Sequence, residues 1–143
     1  MDYLREIRRR GRDANPFFQL MEIEIDAYGN GEAELKMLVR PDMHNGVGWL
    51  QGGLFTALCD EAMALALFTA LEEETAIATI SESTSFLQGV RSGTITARAK
   101  VVKKGKRVAF MEGIVRSEDG TPLTETRASF AIMPKSAEKP RSG

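Results

Sequence analysis

The sequence predicts an α+β fold, with one long apolar helix covered by an antiparallel sheet of about five or six strands. Three features point to it. Leu54 to Leu71 is apolar on most of a helical circumference, and such a helix must be wrapped on many sides. Two alternating apolar runs joined by a glycine-rich turn come before it. Only strand-like runs come after it, and a twisted sheet wraps readily about a rod.

From the N-terminus, Asp2 to Arg12 predicts a short basic helix with Leu4 and Ile7 on one side, broken by Asn15-Pro16. Phe17 and Phe18 are expected to anchor this segment to the core. Met21, Ile23 and Ile25 alternate with Glu22, Glu24 and Asp26, the period of a half-buried strand. Tyr28-Gly29-Asn30-Gly31 is a turn suited to positive φ. Ala33, Leu35, Met37 and Val39 complete a hairpin. A loop over 41–53 leads into the helix, expected from about Gly53 to about Leu71, with Glu72-Glu73-Glu74 ending it in solvent. Strands are expected over 75–87, 94–102, 107–116 and 123–133. Turns at Lys103 to Lys106 and Ser117 to Gly120 separate the last three. The chain divides into an N-terminal arm (1–14), one domain (15–134) and a polar, frayed tail (135–143).

Hydrophobic residues are 43% and charged residues 27% of the chain, the balance of a globular domain. A formal net charge of −1 calls for neither nucleic acid nor an anionic membrane. The one cysteine, Cys59, lies in an apolar run and reads as a buried, inert thiol, in keeping with a cytoplasmic location. The basic N-terminus has no apolar stretch after it, so export is not expected. The helix is about long enough to span a bilayer. However, Asp60 and Glu61 inside it would each cost roughly 2.5–3.5 kcal/mol at the bilayer centre, so a buried helix is expected and no membrane contact.

The chemistry concentrates where the loop enters the helix. Gly52 and Gly53 fall at the helix N-terminus, where backbone N–H groups lack partners and a ligand can approach closely. Such groups suit a thioester oxygen becoming an oxyanion, or the glycines serve only tight packing of the chain entry. Gly53, Thr56, Ala57, Asp60 and Ala64 share one small-residue side of the helix. A carboxylate there is costly unless used or paired, and burial would raise its pKa toward that of a general base. Position alone leaves both Asp60 and Glu61 open for that role.

The spaced pattern Asn45, Gly48, Gln51-Gly52-Gly53, then Leu54 to Asp60, resembles the hot-dog thioesterase superfamily, and within it the phenylacetate-degradation-type acyl-CoA thioesterases. Ala78 to Leu87 and the strands over 105–133 are similar to that family as well, so the likeness covers about 15–134. The resemblance implies a hot-dog fold and hydrolysis of an acyl-CoA thioester. The sequence has no His/Cys/Asp cluster with metal-ligand spacing, and attack on a thioester needs only a base or nucleophile and an oxyanion site, so no cofactor or metal is expected. By matching position the resemblance implies Asp60 as nucleophile or general base. Gly52 N–H, with Gly53, would polarise the carbonyl, and Asn45 would position water or thioester. Thr79 falls where the family can place a water-orienting hydroxyl, or is simply a strand-forming threonine. Gln51 stands where the family has histidine; it can hold the loop or substrate by hydrogen bonds but cannot carry a proton in turnover. His44, the only histidine, reads as a loop residue. Lys103, Lys104, Lys106 and Arg107 form a cationic turn suited to coenzyme A phosphates, or a solvated hairpin tip.

The resemblance further implies a homodimer, doubled into a tetramer, with Asp60 of one chain opposite the Asn45–Gly52 loop of another. Unpaired sheet edges give an independent reason for association. The competing class is a non-catalytic module that senses acyl-CoA; a hydratase would want an Asp-His pair. The acyl group is left open by the sequence, with Phe55, Met63 and Phe86 as candidate pocket walls.

Overall fold

The computed structural model describes residues 2–134. The tail expected from Lys135 lies outside the described residues. Helix α1 (Tyr3–Arg10) opens the chain, capped by the Asp2 carboxylate accepting from Leu4 N–H at 3.1 Å, and buries Ile7. A 3-10 turn (Gly11–Ala14) follows.

The next element corrects the sequence reading. Met21 and Ile23 do not open a strand: Pro16–Met21 is a second short helix, α2, and strand β1 runs only over Glu24–Gly29. Asn15 does not merely break the first helix. Its Oδ1 accepts from Phe17 and Phe18 N–H at 2.9 and 3.4 Å, and Pro16 has φ preset for the first turn. Phe18 is fully buried, and Phe17 is half-buried against the core.

β1 pairs with β2 (Glu32–Leu38) through the expected turn. Asn30 (φ 54°) and Gly31 (φ 77°) are both left-handed, which matches the twist of a two-residue hairpin. Gly31 N–H also donates to Thr69 Oγ1 at 2.7 Å, fastening the hairpin to the end of the long helix. That helix, α3, runs over Gly52–Thr69. Strands β3 (Thr75–Phe86), β4 (Thr94–Lys104), β5 (Val108–Arg116) and β6 (Pro122–Pro134) complete one antiparallel sheet in the order β1-β2-β4-β5-β6-β3.

By length and hydropathy α3 alone would suit a membrane span. Here it is the core. Leu58, Met63, Leu65 and Leu67 are buried to 1% exposure or less, against Leu35, Met37, Ile95 and Met111 of the sheet. Burying each such side chain contributes about 1.5–3 kcal/mol. α3 packs closely on β2, β4 and β5 and only lightly on β3 and β6. The light packing falls on its small-residue side, and a cleft opens there.

Candidate active site

Asp60 sits on α3, half-buried, facing edge strand β3. The Thr79 hydroxyl donates to Asp60 Oδ1 at 3.0 Å. One turn earlier on the helix, Thr56 Oγ1 lies 2.8 Å from Thr84 Oγ1, which in turn lies 2.9 Å from Thr126 Oγ1. At the helix start, the Phe86 ring packs where a side chain on Gly52 would project, 3.3 Å from the position of its Cβ. The small residues of α3 therefore admit the inner face of β3.

β3 does not keep strict alternation. Thr79 pairs with Phe130 and Ser81 with Ser129, so Ile80 is a bulge. Past it the inward set becomes Glu82 (opposite Ala128), Thr84 (opposite Thr126) and Phe86 (opposite Thr124). Bulges re-aim side chains in this way, often beside active sites. The Glu82 carboxyl comes within hydrogen-bonding reach of Asp60, and its pKa is raised to about 7, first by desolvation and then by Asp60. Period-two reading alone misses Glu82. Its one signal in the sequence is that it is the only charged residue between Thr75 and Gln88.

Glu61 is built differently. Its Oε2 accepts from Asn15 Nδ2 at 3.1 Å, and the same amide donates to Tyr3 OH at 2.8 Å. Burial raises the Glu61 pKa, the Asn15 hydrogen bond opposes this, and nearby Asp60 adds to it. Burial likewise pushes Tyr3 up to about 12. Glu61 thus holds the N-terminal segment against α3, while Asp60 faces β3.

A cleft of about 360 Å³ runs beside Asp60 and Thr79. Its apolar walls are Ala64, Phe68, Ile77 and Phe130, and Tyr3, Asn15 and Glu61 add polar groups. The pocket expected from Phe55, Met63 and Phe86 is not formed. Phe55 and Met63 are in the core, while Phe86 is exposed at the strand end, edge-on to Phe55 with ring centroids 6.3 Å apart. A larger cleft of about 410 Å³, between α1 and the end of α3, does not include Asp60.

Within one chain, Asn45 and Gln51 are absent from the Asp60 cleft. Asn45 Oδ1 accepts from Val47 and Trp49 N–H at 3.0 and 3.1 Å and so shapes its own loop. His44 Nε2 meets the Arg91 carbonyl oxygen at 2.7 Å, and the Arg91 guanidinium stacks 4.1 Å above the Trp49 ring. Gln51 precedes α3 with its Oε1 folded over Gly53, 2.8 Å from where a Cβ would lie. Cys59 is buried, and desolvation pushes its thiol up to about 12, as an inert thiol requires. Lys103, Lys104, Lys106 and Arg107 are exposed around the β4–β5 turn, and among the described residues none of them is in a salt bridge.

A family model of the thioesterase superfamily matches residues 48–124, from the helix entry to the start of β6. The chain belongs to the thioesterase superfamily. It is 27% identical to a thioesterase from Haemophilus influenzae of known crystal structure, covering 85% of both chains with a TM-score of 0.80. A phenylacetic acid degradation-related protein from Ralstonia eutropha shares the fold at a TM-score of 0.82 and 24% identity, over 90% of this chain and 98% of that one. The 1,4-dihydroxy-2-naphthoyl-CoA hydrolase of Listeria monocytogenes is 24% identical over 113 residues, 79% of this chain and 92% of that protein. The sheet and central helix are those of the hot-dog thioesterases, and the activity class is thioester hydrolysis.

Proposed function

We propose that the protein hydrolyses an acyl-CoA thioester to a free acid and coenzyme A, with Asp60 as the reacting carboxylate. The observation that carries this is the Thr79–Asp60 hydrogen bond at the mouth of a partly apolar cleft. A carboxylate held by a hydroxyl on a fixed helix is pre-positioned either to attack the carbonyl carbon or to take a proton from water. The Listeria relative's coenzyme A thioester substrate supports the same leaving group here.

The reaction also needs donors for the oxyanion, and the N–H groups of Gly52 and Gly53 at the start of α3 suit that purpose. They lie two turns before Asp60 on the same helix, so one chain cannot offer both to one carbonyl. Pairing two chains along β3 resolves this. Among the described residues β3 is an edge strand of 12 residues with one side unpaired, and such an edge invites a second copy. A twofold pair would set the Asn45–Gly52 loop of one subunit against Asp60 of the other. The exposed Lys103, Lys104, Lys106 and Arg107 would take the coenzyme A phosphates.

Turnover of short, medium, long and aryl acyl-CoAs, followed with a thiol-reactive dye, tests the reading. Release of coenzyme A from at least one, abolished in Asp60→Ala with acyl-CoA binding retained, is the expected result. Binding without turnover by the wild type would make the protein an acyl-CoA sensor instead.

A further inference from the structure

Glu82 has no part in the reaction as described so far, yet the fold spends a bulge on bringing it to Asp60. Were β3 regular after Thr79, Ser81 and Ser83 would follow it on the inner face and Glu82 would point outward. The bulge at Ile80 reverses this and sets Glu82 opposite buried Ala128, facing α3. We propose that Glu82 is the proton donor to the departing coenzyme A sulfur, acting as the second carboxyl of a pair with Asp60. This inference rests on hydrolysis at Asp60 and adds a residue to it.

Two carboxyl groups within hydrogen-bonding reach of each other can bond only through a shared proton, because carboxylates only accept. Few other groups bear on Glu82. From α3 it is faced by Asp60 and, more weakly, by the Cys59 thiol, which stays neutral. From β6 it is faced by Ala128 and Thr126, which carry no charge. No cation neutralises the pair among these neighbours, and desolvation and then Asp60 raise the Glu82 pKa to about 7, so Glu82 can carry a proton near neutrality. Thr79 donates to Asp60 Oδ1 and so fixes which way that carboxyl faces. The pair is thus divided into a base, Asp60, and an acid, Glu82.

The step balances as follows. Asp60 takes one proton from water as the water oxygen bonds to the thioester carbon. The tetrahedral adduct collapses, the carbon–sulfur bond breaks with its electron pair on sulfur, and Glu82 gives sulfur its proton. An alkyl thiol has a pKa of roughly 8.5, so transfer from an acid near neutrality is downhill. Carboxylic acid and thiol leave, and the proton on Asp60 passes to Glu82, restoring the pair.

The test compares two thioesters of one acyl group, one of coenzyme A and one of 4-nitrothiophenol, whose thiolate leaves without a proton. In Glu82→Gln, kcat on the acyl-CoA should fall about 100-fold with KM unchanged, while the aryl thioester should lose less than about threefold. The wild type should show a fall in kcat above neutral pH that vanishes in this variant, and Glu82→Asp should recover part of the rate. Equal losses on both thioesters, no loss on either, or a loss confined to KM would each overturn the proposal. Asp60→Asn should lose both reactions whatever Glu82 does; if it keeps them, hydrolysis at Asp60 fails, and the donor role of Glu82 with it.

Discussion

The Thr79 hydroxyl reaches from edge strand to core helix and donates to Asp60 Oδ1 at 3.0 Å. A hydrogen bond to a charged group contributes roughly 1.5–3 kcal/mol, so Thr79→Val should lower kcat by about tenfold or more. KM should change little, because the bond orients a reacting group and does not hold substrate. Thr79→Ser keeps the hydroxyl and should stay near the wild-type rate. Steady-state kinetics on the best acyl-CoA decides the matter, and an unchanged kcat in Thr79→Val would reduce Thr79 to a strand-forming residue.

Gly113 of β5 lies under α3, where an added Cβ would come within 2.9 Å of Cys59 Sγ and 3.6 Å of Met63 Cγ. Both neighbours are fully buried and have no room to retreat. Overpacking of this kind costs typically about 1–3 kcal/mol, so Gly113→Ala should be destabilised by that amount in denaturant titrations. Pairing it with Cys59→Ala should recover much of the loss. Equal stability of Gly113→Ala and the wild type would mean that the helix-to-sheet spacing is slack.

Asn15 holds three elements at once. Its Oδ1 caps α2, and its Nδ2 bonds both Tyr3 OH and Glu61 Oε2. Asn15→Ala loses the cap and leaves the half-buried Glu61 without its donor, which together should cost about 2 kcal/mol. Asn15→Ser retains a capping oxygen and should cost about half as much. Chemical denaturation of the three proteins measures the difference. Indistinguishable midpoints for Ala and Ser would show that the capping oxygen contributes nothing and that the loss comes from the amide's bonds to Tyr3 and Glu61.

Much of this architecture was legible because strand and helix periods are strong signals. The alternation of Ile95, Ala97 and Ala99 appears as a buried face, and Asn30-Gly31 makes the turn that it implies. Asp60 stood out because a carboxylate is costly in an apolar helix. What escaped was local re-phasing. Asn15-Pro16 reads equally as a helix stop and a helix start, which hides α2 and makes the alternation begin three residues before β1 does. The bulge at Ile80 has no glycine or proline to mark it, so Glu82 could not be assigned to the inner face. Glu61 looked equivalent to Asp60 until its partners were seen, because adjacent helical residues differ only in what lies opposite them.

Glu82 should also be visible in the pH dependence of stability. Folding raises its pKa from 4.5 to about 7. Between those values the folded chain binds more protons than the unfolded one, so this group's contribution to stability falls as pH rises through that window. Glu82→Gln removes the effect while leaving Glu61, also raised, in place. The Tm of the variant relative to wild type should therefore climb from pH 4.5 to pH 7. Parallel Tm curves across this range would indicate that folding leaves the Glu82 pKa where it is in the unfolded chain.

The final expectation concerns the edge. Among the described residues β3 leaves one side unpaired along 12 residues, while the N–H of Gly52, proposed for the oxyanion, and the carboxylate of Asp60 stand two turns apart on one helix. If twofold pairing of β3 brings Asn45 and Gly52 of one chain to Asp60 of the other, each site draws on both chains. Asp60→Ala and Asn45→Ala homo-oligomers should then both be inactive. Co-expressed in equal amounts, they should form mixed dimers in which one site is doubly mutated and the other is wild type. Random pairing makes half of the dimers mixed, each with one good site, so about a quarter of wild-type turnover should return. Purification by two different tags would isolate the mixed dimer and raise recovery to about half. A mixed dimer that remains inactive, or a monomer by light scattering that turns over acyl-CoA, would place the whole site within one chain.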